Sequence, residues 1–151
     1  RDLHPRVRRR RQMCIRDSYN RYVGDWGGQS MVYKLEAIKD GKVVKTLVRE
    51  PVQKVQYQIT VSSQKLKETH TYDVAAVRIQ AVDENGNLLP YFQEPVQLKC
   101  EGAIEIIGPD IISLQGGMGG TYVKTIGKTG SGKLMISNRQ AGTREITFEI
   151  E

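Results

Sequence analysis

Histidine, cysteine and tryptophan are nearly missing from this chain: two, two and one among 151 residues. Two cysteines, Cys14 and Cys100, cannot build the disulfide framework of a small secreted scaffold. With only His4 and His70, a zinc centre or a Ser/His/Asp triad has little to stand on. No apolar run is long enough to cross a bilayer as a helix, so no membrane partner is expected. No window of a dozen residues repeats its apolar positions every 3.6 residues, which argues against amphipathic helices.

Basic charge is what the chain has in excess, and it is badly distributed. The formal net charge is +6. Residues 1–18 hold seven arginines against Asp2 and Asp17. Removing these from the 23 basic and 17 acidic residues of the whole chain leaves 16 and 15, a nearly neutral body. A basic chain invites a nucleic-acid partner, but here the invitation rests on the first 18 residues alone.

Those residues read as something other than a binding arm. Met13, Cys14 and Ile15 interrupt the arginines, and no apolar core of a secretory signal follows. Gln12–Asp17 back-translates as CAG ATG TGT ATA AGA GAC, which resembles the transposase end sequence of tagmentation sequencing libraries. Arg1–His4 back-translates as CGA GAT CTA CAC, the end of a flow-cell adapter, and Pro5–Val7 fill the space of a sample index. Arg8–Arg11 match the bases between once a single CAG codon is read as CGG. Residues 1–18 are therefore expected to be adapter-derived and disordered, and no nucleic-acid partner is expected. The gene itself is expected to be truncated upstream of Tyr19. That leaves the compartment open, with the cytoplasm favoured. It also leaves Cys100 without a disulfide partner, as a small buried apolar residue in a strand.

The rest of the chain is patterned as strands. Residues 31–38 alternate, Asp40–Gly41 supplies a turn, and 43–48 return. Residues 55–61 place Val55, Tyr57, Ile59 and Val61 inward. Further strands are expected at 74–82, 95–101, 103–108, 111–115, 120–126, 132–137 and 144–150, separated by turn signals such as Asn85–Gly86. This is an all-β chain, and an immunoglobulin-like β-sandwich is the expected fold. About eight strands fall between 53 and 151, enough for one sandwich of roughly 100 residues. The hairpin at 31–49 is surplus, and a lone hairpin is marginal in water. Residues 19–50 are therefore expected to be the last strands of a preceding immunoglobulin-like domain. Residues 51–151 are the C-terminal domain, with Pro51 at the boundary.

Several motifs tempt and fail. Gly127–Leu134, "GKTGSGKL", approaches a phosphate-binding loop. However, Leu134 stands where a magnesium-holding hydroxyl belongs, and a strand rather than a helix follows. Asp83, Asn85 and Asn87 have calcium-loop spacing, but Leu88 replaces the glycine and Pro95 the glutamate of such a loop. Gln115–Tyr122, "QGGMGGTY", lacks the spacing and the surrounding βαβ unit of a dinucleotide loop. His70 lies in a polar stretch and is expected to be solvated. The acids are scattered, and nothing picks the facing pair that glycoside hydrolysis needs. No catalytic, metal or cofactor-binding residue is assigned. Trp26, with Tyr19 and Tyr22, is read as packing residues. Trp26 and Tyr91 are the aromatics on which a sugar would stack if the domain bound one.

At this point three stretches become familiar. "WGGQSMVYKLEAIKDGKVVKTLV", from Trp26, resembles the end of an immunoglobulin-like domain of glycoside hydrolase family 2 enzymes. "TYDVAAVRIQAVDENGNLLPYFQEPVQL" and "EIIGPDIISLQGGMGGTYVKT" resemble the C-terminal immunoglobulin-like domain of that family's bacterial β-galactosidases. The resemblance implies a retaining hydrolase whose barrel domain carries two catalytic glutamates upstream of everything present here. No position of this chain matches the family's catalytic motifs. By itself the fragment is expected to be inert, with no cofactor. Its partners are expected to be upstream domains of the same enzyme, with possible oligomer contacts and a weak carbohydrate contact. The alternatives are a carbohydrate-binding module and a repeat of a bacterial surface adhesin.

Overall fold

The computed structural model describes residues 31–151. They are all strand, turn and loop, and the chain divides into two compact units between Pro51 and Val52.

The first unit is a hairpin of β1 (Tyr33–Lys39) and β2 (Lys42–Arg49). Lys39 pairs with Lys42, so Asp40 and Gly41 alone make the turn, with φ of 51° and 73°. Two consecutive left-handed residues match the right-handed twist of the flanking strands, which is why Asp-Gly is favoured here. The register shifts after Ala37, leaving Val44 as the extra residue of a β-bulge. Every residue of β1 is exposed, Leu35 and Ile38 included, although the sequence alternates as a half-buried strand would.

The second unit is a two-layer sandwich. One sheet runs β4 (Lys65–Leu66), β11 (Gly142–Ile150), β10 (Gly130–Asn138), β6 (Pro95–Gly102), β8 (Ile111–Ser113). The other runs β3 (Gln56–Val61), β5 (Val74–Val82), β9 (Met118–Thr125), β7 (Ile104–Ile107). All pairings are antiparallel except β4 with β11. The sheets are not closed into a barrel, so the expected all-β sandwich is what forms.

Alternation puts the core between the layers. Val96 and Leu98 of β6, Leu134 and Ile136 of β10, and Phe148 and Ile150 of β11 point inward from the larger sheet. Tyr57 of β3, Ala75, Val77 and Ile79 of β5, Val123 of β9 and Ile104 of β7 meet them from the smaller one. Phe148, Leu134, Ile136, Val96 and Ile79 are wholly buried. At roughly 25 cal/mol per Å² of apolar surface removed from water, each such side chain contributes about 1.5–3 kcal/mol.

Two expectations need adjustment. Residues 53–151 hold nine strands, because β4, only two residues long, was not foreseen. It exists because Leu66 is buried against the core while Lys65 and Leu66 pair in parallel with Glu149 and Ile150. Cys100 is half-buried rather than buried, and it packs at the margin of the core on the last turn of β6's alternation. Burial, and secondarily Glu105, push its thiol up to about 11. A thiol kept neutral in this way is a poor nucleophile at physiological pH.

Candidate functional site

Each motif weighed in the sequence has a definite place in the sandwich. Gly127–Leu134 becomes a loop followed by β10, with Gly130 already in the strand. A phosphate loop needs the free N–H groups of a helix start, and a strand spends its N–H groups on its neighbours. Gln115–Met118 is a tight turn: Gln115 N–H donates to the Met118 carbonyl at 2.8 Å and Met118 N–H returns to Gln115 at 3.1 Å. It carries the chain from the five-stranded sheet to the four-stranded one.

Asp83 is buried, with 4% of its surface exposed, and its carboxylate is committed to its own turn. Oδ1 accepts from the N–H of Asn85 at 3.0 Å and of Asn87 at 2.7 Å, and Oδ2 accepts from Asn87 Nδ2 at 2.8 Å. The carboxylate does here for a loop what a helix cap does for a helix end: it satisfies backbone donors that the sheet cannot reach. The next residue, Glu84, clasps the start of the sandwich, accepting from Gln53 N–H at 3.1 Å and Lys54 N–H at 3.2 Å. Its own backbone N–H and that of Gln53 hold its carboxyl below the usual range. Among the described residues no group of three His, Cys, Asp or Glu side chains converges as a metal site would require.

His70 lies in an exposed loop between β4 and β5. Tyr91 is 94% exposed. Trp26, Tyr19, Tyr22 and the arginine-rich residues 1–18 lie outside the described residues.

The two outer faces of the sandwich differ in kind. The five-stranded sheet carries paired charges: Lys65 with Glu149 at 3.0 Å, Lys99 with Glu101 at 2.9 Å, and Lys133 with Glu145 at 3.0 Å. Such exposed pairs contribute little to stability and chiefly keep the face solvated. The four-stranded sheet carries one pair, Lys124 with Glu105, and a hollow of about 410 Å³ across β3, β5 and β9. Its floor is Gly120, which pairs with Arg78, and Ala76, which pairs with Tyr122. A side chain at position 120 would meet the Val77 carbonyl oxygen at 2.7 Å, so close approach of β5 demands glycine and the hollow follows. Thr60, Ser62, Arg78 and Tyr122 form the walls.

A second hollow of about 330 Å³ lies where β6, β8 and the end of β10 meet. Glu94 is the one carboxylate among its lining residues, and the first hollow has none. Sequence reasoning missed the first hollow. Its residues come from three separated stretches that only the strand pairing brings together. The signal that was available is the outward alternation of Thr60, Ala76, Arg78, Gly120 and Tyr122.

No protein-family model matches the chain. Two curated relatives do. A β-galactosidase of Rhizobium radiobacter is 36% identical over 78 residues, covering 52% of this chain and 56% of that protein. A β-galactosidase of Thermoanaerobacter pseudethanolicus is 41% identical over 58 residues, 38% of this chain and 8% of that protein. Among solved structures, a β-glycosidase from Bacteroides vulgatus superposes with a TM-score of 0.64 at 15% identity, over 80% of this chain and 17% of that one. A glycosyl hydrolase family 2 member from Bacteroides cellulosilyticus gives 0.63 at 16%, over 80% and 17%. The chain thus spans about half of one relative and a small part of the other, and less than a fifth of each structure. The resemblance read from the residues is matched on both sides: this chain is similar in sequence to β-galactosidases and in fold to a β-sandwich portion of family 2 glycoside hydrolases.

Proposed function

We propose that the chain is a non-catalytic accessory region of a larger family 2 glycosidase whose other domains hydrolyse terminal β-galactosides with retention. Residues 51–151 are its C-terminal immunoglobulin-like domain, and 19–50 belong to the domain before it. Its partners are the upstream domains of the same enzyme, with oligomer contacts as a second use of its surface. Nucleic acid and membrane have no part in this reading.

One observation carries the inert half of the proposal. Glycoside hydrolysis needs two carboxyl groups facing each other across a sugar, about 5–10 Å apart. Neither of the two hollows described above is lined by such a pair. Buried Asp83 has both carboxylate oxygens engaged in its own turn. The test is direct. The purified chain, incubated with a chromogenic β-galactoside, should release no chromophore above the buffer rate. Turnover that is retained through rigorous purification and lost on unfolding would sink the proposal.

A further inference from the structure

We propose that the hollow on the outer face of the four-stranded sheet is a carbohydrate subsite, taking one or two pyranose rings of an oligosaccharide against Tyr122 with Arg78 at their hydroxyl edge. The site goes beyond the accessory role assigned above. Only the choice of galactose as the leading sugar rests on that role.

The argument begins with what the face exposes. Tyr122 is 55% exposed although it sits in the middle of β9, flanked by Ala76 on β5 and Ile107 on β7. Its two in-strand neighbours on the same face are Gly120 and Lys124, so one side of the ring borders a gap with no side chain. A pyranose ring carries an apolar C–H face and a polar rim. An aromatic ring beside an open floor takes the first, and donors around the floor take the second. Those donors are present. The Thr60 and Ser62 hydroxyls line one wall, and Ser62 Oγ accepts from Ala76 N–H at 2.9 Å, which fixes its position and leaves its own proton to donate.

Arg78 is the second observation. Among the described residues no carboxylate lies within ion-pair distance of it, as is also true of Arg144 on β11, while Lys65, Lys99, Lys124 and Lys133 are matched to glutamates. A guanidinium presents a planar fork of N–H donors that suits vicinal hydroxyls. It is a weak trap for an anion by itself, since Lys124, the other cation on this face, is held by Glu105 at 3.2 Å. The hollow is of the size typical for small-ligand sites. It is also open at the top, as a site for part of a longer chain must be.

The experiment is a titration of the isotopically labelled full chain, followed by backbone amide shifts. Galactotetraose is the first probe, and cellotetraose and trigalacturonate are the others. Galactotetraose should move amides of residues 60–62, 76–78 and 119–122. Tyr122→Ala should weaken that binding up to about tenfold, the scale of one aromatic contact. Arg78→Gln should weaken it by several-fold while leaving the remaining spectrum in place. Binding of cellotetraose or trigalacturonate at these amides without galactotetraose would support the subsite while counting against the galactoside reading of the parent enzyme. Silence from all three probes would overturn the subsite, as would shifts confined to other residues or affinities unchanged in both variants.

Discussion

The hairpin and the sandwich are written in the same binary pattern and end in different states. Residues 33–39 alternate as cleanly as 74–82, yet every side chain of β1 is exposed while Ala75, Val77, Ile79 and Ala81 of β5 are buried. Alternation specifies a face; it does not supply a second layer to cover it. In the sandwich the second layer is the opposing sheet. Among the described residues of its own unit the hairpin has none, and its Asp-Gly turn and backbone pairing hold the two strands together. A strand sequence therefore states what it needs and leaves open whether that need is met.

The sharpest way to break this comparison is to make the same kind of deletion in both units. Phe148→Ala removes a wholly buried ring between β4 and β10 and should cost about 3–5 kcal/mol in urea unfolding of the full chain. Leu35→Ala in the hairpin should cost less than about 0.5 kcal/mol. Equal effects would mean that the hairpin face is as thoroughly covered as the core.

The next effect in size concerns Asp83. Replacing it by alanine removes the acceptor for two backbone N–H groups and the Asn87 amide, and should cost about 1–3 kcal/mol. Asp83→Asn, which keeps one acceptor oxygen, should lose less. A fall equal to that of alanine would show that the charge, and not the acceptor geometry, holds the turn.

The last effect is confined to strongly alkaline pH. Burial, and then Glu94, raise Tyr57 from 10.0 to about 12, and burial, and then Glu105, raise Cys100 from 9.0 to about 11. Both groups bind their proton more tightly folded than unfolded. Their stability is full below pH 9 and is lost as pH climbs through 11 and 12. Thermal melting should therefore fall over that window. Tyr57 has a hydroxyl with no hydrogen-bond partner among the described residues. Tyr57→Phe should accordingly be neutral or slightly stabilising at pH 7, and the alkaline decline should be shallower. A marked loss at pH 7 would show that the hydroxyl has a partner after all.

How much of this was legible depended on how local the signal is. Strands such as 74–82 and 144–150 declare themselves because each carries its own alternation, and Asp40–Gly41 and Asn85–Gly86 declare turns by their backbone freedom. β4 did not, since two residues hold no period, and it is Leu66's burial against distant strands that makes it a strand. Cys100 was placed too deep because alternation tells inward from outward and not centre from margin. The hollow was illegible for a third reason. Gly120 looks like turn glycine beside Gly116 and Gly117, and its contact with β5 appears only after pairing is known.

Lys65 and Leu66 pair with Glu149 and Ile150, and backbone bonds at 2.8–2.9 Å extend that seam from Gln64 to Glu68 against the last three residues. This joins the two ends of the sandwich's sequence, so its contact order is high and the loop to be closed is nearly the whole domain. On the ribosome, the larger sheet cannot be finished until its final strand has left the exit tunnel, because that strand brings Phe148 and sits between β4 and β10. Until then Leu134 and Ile136 lack a neighbour on one side. The domain should thus fold late and all at once, and a chain cut short by even one strand is a candidate for chaperones rather than a smaller version of the same fold.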